Sequence, residues 1–115
     1  TVVIDHATGL MWQQGGSSEY MVWSKAQGHV DQLNRSRYAG FSDWRLPTIE
    51  ELASLLEPTE KNGDLYIDAK FDKNQRWCWS SDKRSSESAW VVGFTVGGVD
   101  NDNVGLDNYV RAVRP

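Results

Sequence analysis

The sequence predicts an α+β domain in which two short helices pack on a mainly antiparallel, short-stranded sheet, with a long polar loop near the end. Three observations carry this prediction. Runs rich in β-branched and aromatic residues lie at the start (Thr1–Ile4, Leu10–Trp12) and in the second half (Trp77–Ser81, Ala89–Val96, Tyr109–Arg114). Between them, two segments combine helix-start chemistry with apolar residues at helical spacing. The strands do not alternate one-for-one with helices, which favours antiparallel pairing over a βαβ array.

The first element is a hairpin. Thr1–Ile4 is strand-like, Asp5–Gly9 has turn chemistry, and Leu10–Trp12 returns. Gln13–Glu19 is a Gly/Ser loop. Ser24 with Gln27 three residues later suggests a capping box, and Ala26, Val30 and Leu33 then fall on one helical face. Gly28 weakens this helix by about 1 kcal/mol relative to alanine, and Gly40 marks its exit. The second helix has the sharper start. Pro47 biases the preceding residue away from helix, Thr48 can cap the new amides, and Glu51 can reach back to the Thr48 N–H. Ile49, Leu52, Ala53, Leu55 and Leu56 make its apolar stripe, which Pro58 ends.

Residues 57–76 are polar and irregular, with Leu65, Ile67 and Phe71 expected to tether them to the core. Alternation in the next strand puts Trp77 and Trp79 on one face and Cys78 on the other. The strand Ala89–Val96 alternates Trp90, Val92, Phe94 and Val96 against Ala89, Val91, Gly93 and Thr95. Gly97-Gly98 breaks it, an Asn/Asp-rich loop runs to Asn108, and Tyr109–Arg114 closes the chain.

The 115 residues make a single domain spanning 1–115, long enough to bury about two-thirds of its unfolded surface without metals or disulfides. Six tryptophans offset a modest apolar content, since each buries roughly 150–250 Å². A net charge of −4 and a pI near 5.0 leave no general electrostatic footprint for nucleic acid or an anionic membrane. Local basic spots at Arg35/Arg37 and Lys83/Arg84 read as solvated surface. No apolar run approaches the roughly 18–20 residues that span a bilayer, so direct membrane insertion is not expected. The chain starts directly in a strand-like segment and reads as a domain taken from a longer protein.

Trp44 and Arg45 are residue types that dominate binding hot spots. Beside a helix start, however, Trp44 is expected to fill the core and Arg45 to pair with Glu50 or Glu51. Trp77, Trp79 and Trp90 could stack on sugar rings, yet core packing accounts for most of them. Cys78, the one cysteine, reads as a small buried residue and not a nucleophile. His6 and His29 have no metal-ligand spacing. The best candidate site is the loop, through Asp100, Asn101, Asp102, Asn103, Asp107 and Asn108, with Tyr109 adding an apolar contact. Calcium favours such an oxygen-dense segment, but Val104 stands where an EF-hand needs a ligand and no bidentate Glu follows. No cofactor or metal is therefore expected.

Thr8-Gly9-Leu10-Met11-Trp12, Gly40-Phe41-Ser42-Asp43-Trp44-Arg45-Leu46-Pro47-Thr48, Glu51-Leu52, Trp79-Ser80-Ser81, Ala89-Trp90-Val91-Val92-Gly93-Phe94 and Tyr109-Val110-Arg111-Ala112-Val113-Arg114 occur in an order that resembles one bacterial family. It is the domain at the C-terminus of the Legionella collagen-like adhesin. The resemblance spans essentially the whole chain and implies a C-type-lectin-like fold, an extracellular or periplasmic location, trimers, and sulfated glycosaminoglycans as the named relative's ligand. It extends to display proteins diversified by retroelements, whose last loop carries the varied residues. Family members commonly pair a cysteine in the first helix with one in the last strand. Those positions look like Val30 and Ala112 here, so packing is expected to replace a disulfide usually worth about 2–4 kcal/mol.

These readings converge on a non-catalytic binding or adhesion module that recognises glycan or protein through the 97–108 loop. The formylglycine-generating enzymes share the implied broad fold but use two active-site cysteines, and this chain has one. The acidic balance also argues against copying a heparin-type ligand. An oligomerising cap of a fibre or stalk, and a retroelement-diversified display domain, are the alternatives.

Overall fold

A computed structural model describes residues 1–115. Six strands and two helices follow in the order β1 (Val2–Asp5), β2 (Leu10–Gln13), α1 (Trp23–Arg35), α2 (Ile49–Ala53), β3 (Trp77–Lys83), β4 (Ser88–Gly93), β5 (Gly98–Asn103) and β6 (Val113–Arg114), with a 3-10 turn at Tyr38–Gly40. They form two antiparallel three-stranded sheets, ordered β1-β2-β6 and β3-β4-β5. The domain is thus α+β, with the sheet divided in two.

The start of α2 forms as its sequence dictates. Thr48 Oγ1 accepts from Glu51 N–H at 3.2 Å, and Glu51 Oε1 accepts from Thr48 N–H at 2.9 Å. Of the two carboxylates within reach, Arg45 pairs with Glu51, in a two-pronged contact at 2.7 Å per prong. Irregular pairing between Trp79 and Lys83 helps from the other side. There Ser80 Oγ donates to the Trp90 carbonyl and Asp82 Oδ2 takes the Ile49 N–H at 2.7 Å. A helix of only five residues is stable here because the amides of Ile49, Glu51 and Leu52 all find acceptors and Leu52 is fully buried.

Four expectations are corrected. The capping box at Ser24 and Gln27 does not form: α1 begins earlier, at Trp23, with no side-chain cap, and the Val104 carbonyl takes the Trp23 N–H at 3.2 Å. A distant backbone acceptor has replaced the local one. The fourth strand stops at Gly93, and Phe94–Gly97 is a tight turn closed by Gly97 N–H on the Gly93 carbonyl. Gly97 sits at φ +70°, and a Cβ there would meet the Tyr66 ring at 2.9 Å. The expected loop after it is largely a strand, because that turn sends residues 98–103 back along β4, pairing Ala89 with Asp102 and Val91 with Asp100. Finally, the closing strand survives only as β6, because residues 108–112 change partners at nearly every step.

Two apolar clusters of ten buried residues each make the core. Cys78, Val92, Phe94, Trp12, Leu52 and the tethers Leu65, Ile67 and Phe71 belong to one. Trp79, Val91, Ala89, Trp44 and the α1 residues Ala26, Val30 and Leu33 belong to the other. Trp77 packs against the second cluster with Trp79, opposite Cys78, as alternation predicts. Val30 and Ala112 are both fully buried in that same cluster, which is what packing in place of a covalent bridge requires. Trp44 is core: its Nε1–H donates to the Tyr38 carbonyl at 3.0 Å, and Asn34 brackets its backbone through both amide atoms.

Candidate functional site

Strand β5 is the free edge of its sheet. The Val104 N–H to Glu87 carbonyl bond sets the alternation, so Gly98, Asp100 and Asp102 pair with β4 while Val99 and Asn101 turn their backbone groups outward. Cross-strand register distributes the side chains. Asp100 and Asp102 share a face with Val91, Ala89 and, two strands over, Trp77 and Trp79. Asn101 and Asn103 share the opposite face with Trp90. The six polar candidates are therefore split and do not converge on one point.

Their surroundings differ accordingly. Asp100 is exposed, and its Oδ1 accepts the neighbouring Asn101 N–H. Asn103 Oδ1 accepts the Gly105 N–H at 2.8 Å and shapes the turn. Asn108 is buried, exchanges two backbone bonds with Met21 and donates its side-chain amide to Asp102 at 2.9 Å. It is a structural bracket for the 103–108 turn. Asp107 is exposed, while Tyr109 is half-buried with Tyr20 against it edge-on, ring centroids 5.7 Å apart.

Asp107, Asn108 and Tyr109 line a cleft of about 290 Å³ with Tyr20, Arg76 and Trp77. Tyr20 is 61% exposed. The cleft thus combines three aromatic rings with one cation and one carboxylate. Arg76 is held at its rim by Asp64, at 2.5 Å. Sequence reasoning raised Trp77 as a stacking surface but passed over Tyr20 and Arg76. Tyr20 stands just after the Gly/Ser loop, at the head of Tyr20-Met21-Val22-Trp23, where no local pattern marks it as exposed.

Other charged and nucleophilic groups are engaged elsewhere. Lys83 lies 5.3 Å above the Trp23 ring, at the start of α1. Arg35 and Arg37 stand at the opposite end of that 13-residue helix, about 18 Å away. The two basic spots do not form one patch. Burial pushes the Cys78 thiol up to about 11 despite nearby Arg111, so it stays protonated at neutral pH. No three His, Cys, Asp or Glu side chains come together as a metal-binding group.

Arg111 is the buried residue that the sequence reading noted only within a motif. Fully buried, it donates to the carbonyls of Gln13, Gln14 and Asp72 and lies 4.7 Å above the Phe71 ring. Burial lowers its pKa, opposed by Cys78 and Asp72. Its role is to tie the closing segment to the loop after β2.

Two antiparallel sheets, two helices and an aromatic-lined cleft define a small α+β domain. The chain belongs to the Lcl C-terminal domain family, whose model matches residues 1–114. This agrees with the resemblance drawn from its motifs and associates the domain with collagen-like adhesins and bacterial surface proteins. A search of curated proteins finds no match. No helix is long and apolar enough to cross a membrane.

Proposed function

We propose that this domain is a non-catalytic ligand-binding module, C-type-lectin-like in fold, of an extracellular or periplasmic bacterial adhesin, and that it holds a sugar residue in the Tyr20–Trp77–Tyr109 cleft. The observation that carries this reading is the cleft itself. Aromatic faces present C–H-binding surface, while Asp107 and Arg76 offer an acceptor and a donor for hydroxyl groups at its rim. The exposed carboxylate of Asp100 extends the acceptor surface along β5. A rigid scaffold that fixes these groups limits the ordering cost of binding. No cofactor is invoked.

A glycan array that includes sulfated chains, probed with calcium and with chelator, tests this. Selective binding that Tyr20→Ala or Asp107→Ala reduces at least fivefold is expected in both conditions. Binding to sulfated chains abolished by Arg35→Ala or Lys83→Ala would move the site to the basic spots. A blank array in both conditions would sink the glycan reading. Exposed Val96 in the β4–β5 turn and Val99 just after it, at 64% and 47% exposure, would then favour a protein-binding or oligomerising role. Light scattering would separate a trimeric cap from a monomeric binder.

A further inference from the structure

Away from the cleft, helix α1 and the loop after β2 enclose a second polar surface. Two cavities of about 470 and 280 Å³ share Ser18, His29 and Gln32, and so form one elongated trough. Its helical wall is a stripe at i, i+3, i+4, i+7 and i+11: Lys25, Gly28, His29, Gln32 and Ser36. Gln14 and Asp72 stand on the other side. Apart from Leu33, Met21 and Tyr38, the lining is hydroxyl, amide, imidazole, charged side chain or bare glycine.

His29 has a defined polarity within this trough. The Ala112 N–H can only donate, and it bonds Gln13 Oε1 at 2.9 Å, which fixes the orientation of that amide. His29 Nε2 lies 3.2 Å from the same oxygen and must therefore carry a proton. Burial lowers the pKa of His29 and favours the neutral ring, leaving Nδ1 as an acceptor. Ser18 and Gln32 add hydroxyl and amide groups that can both donate and accept.

Gly28 supplies an independent argument. A glycine in a helix interior is unfavourable relative to alanine, so it calls for a physical reason such as close packing. Gly16 has one, since a Cβ there would strike the Val110 carbonyl. Gly28 has none: nothing lies within 4 Å of where its Cβ would sit. The fold leaves open space for a side chain at this position. The bare patch it leaves is part of the helical wall of the trough.

We propose that the α1 trough is a second ligand site, which takes an uncharged polyhydroxylated chain, a neutral oligosaccharide, lying along Gly28, His29 and Gln32. It goes beyond the cleft reading and does not depend on it. Mixed donors and acceptors suit hydroxyl groups. Lys25 and Glu19 at one end and Asp72 at the other leave no cationic patch for a sulfated chain. The lining lacks the apolar anchor pockets on which peptide side chains depend.

Titrating the whole domain with cellohexaose, maltohexaose and chitohexaose, followed by amide NMR, tests this directly. At least one hexaose is expected to shift the amides of Ser18, Gly28, His29 and Gln32 as a group. Gly28→Ala and Gly28→Gln are both expected to raise Tm, because α1 loses a poor helix former without a clash. Gly28→Gln should nevertheless weaken the hexaose at least tenfold. Unchanged affinity in Gly28→Gln would overturn the proposal, as would hexaose shifts confined to Tyr20, Trp77 and Tyr109. An Ala-Ser repeat peptide that shifts the trough amides when no hexaose does would also overturn it. Silence of all three hexaoses at the trough would end it while leaving the cleft untouched, since Tyr20→Ala reads the cleft separately.

Discussion

Strand β5 and the closing segment 108–114 are near neighbours in sequence, and both carry polar residues, but the fold uses them in opposite ways. In the closing segment nearly every polar group has a partner from another element. Ser17 brackets Val110 through its hydroxyl and its N–H, Gln13 does the same for Ala112, and Arg45 exchanges two backbone bonds with Val113. Arg111 gathers three carbonyls, and Arg114 pairs with Asp43 while lying 3.7 Å above the Phe41 ring. On β5, Asp100 and Asp102 have no cationic partner. Polar residues become fold determinants where the chain threads between two sheets and water is absent. At the sheet edge the exposed Asp100 stays available to a ligand.

The sharpest way to break this contrast is at Arg111. Arg111→Ala removes the donor for three carbonyls and opens a cavity beside Phe71. A loss of about 3–5 kcal/mol is expected, read by urea unfolding. A loss below about 1 kcal/mol would mean that the closing segment is not held by its polar contacts. Gln13→Ala comes next. It strips the acceptor from the Ala112 N–H and the partner from His29, for an expected cost of about 1–3 kcal/mol.

How much of this was legible in sequence follows from the range of the contacts. Thr48, Glu51 and Arg45 lie within six residues of one another, so local chemistry named the α2 start and left only the choice of carboxylate open. Alternation placed Trp77, Trp79 and Cys78 on their faces. By contrast, the partners of Arg111 are 36 to 98 residues away, and no local pattern encodes them. Residues 98–103 were misread because Gly, Asn and Asp are poor strand formers. The edge strand exists because β4 templates it, and tertiary pairing overrode propensity. The cleft was half legible for the same reason: Asp107 and Tyr109 come from one stretch, but Tyr20, Arg76 and Trp77 arrive from elsewhere.

A third prediction sharpens the comparison through pH. Hydrogen bonds from Arg45, with help from the Thr48 N–H, lower the pKa of Glu51 from the ordinary 4.5 to about 2. A depressed carboxylate pKa contributes stability that is complete above about pH 4.5 and is lost as pH falls towards 2. Because the pair is partly open to water, the contribution is about 1 kcal/mol. Urea midpoints for the parent should fall across that window more steeply than those of Glu51→Gln. Parallel pH profiles would show that the ion pair adds nothing to the cap.

The smallest expected effect on stability is the most informative about the edge. Asp102→Ala removes the acceptor that holds the Asn108 amide, and should cost about 1 kcal/mol. Asp100→Ala removes only a bond to its own neighbour's N–H on an exposed edge, and should stay within about 0.5 kcal/mol of the parent. The two carboxylates share a face and differ by two positions, so the pair isolates the polar bracket from the free acceptor. If β5 contributes to sugar binding, Asp100→Ala should lower affinity a fewfold with no change in the urea midpoint. Intact affinity in Asp100→Ala, together with loss in Asp107→Ala, would confine recognition to the aromatic cleft. The acidic edge would then have the separate role of preventing β5 from pairing with a second copy, since like charges would oppose each other across such a junction.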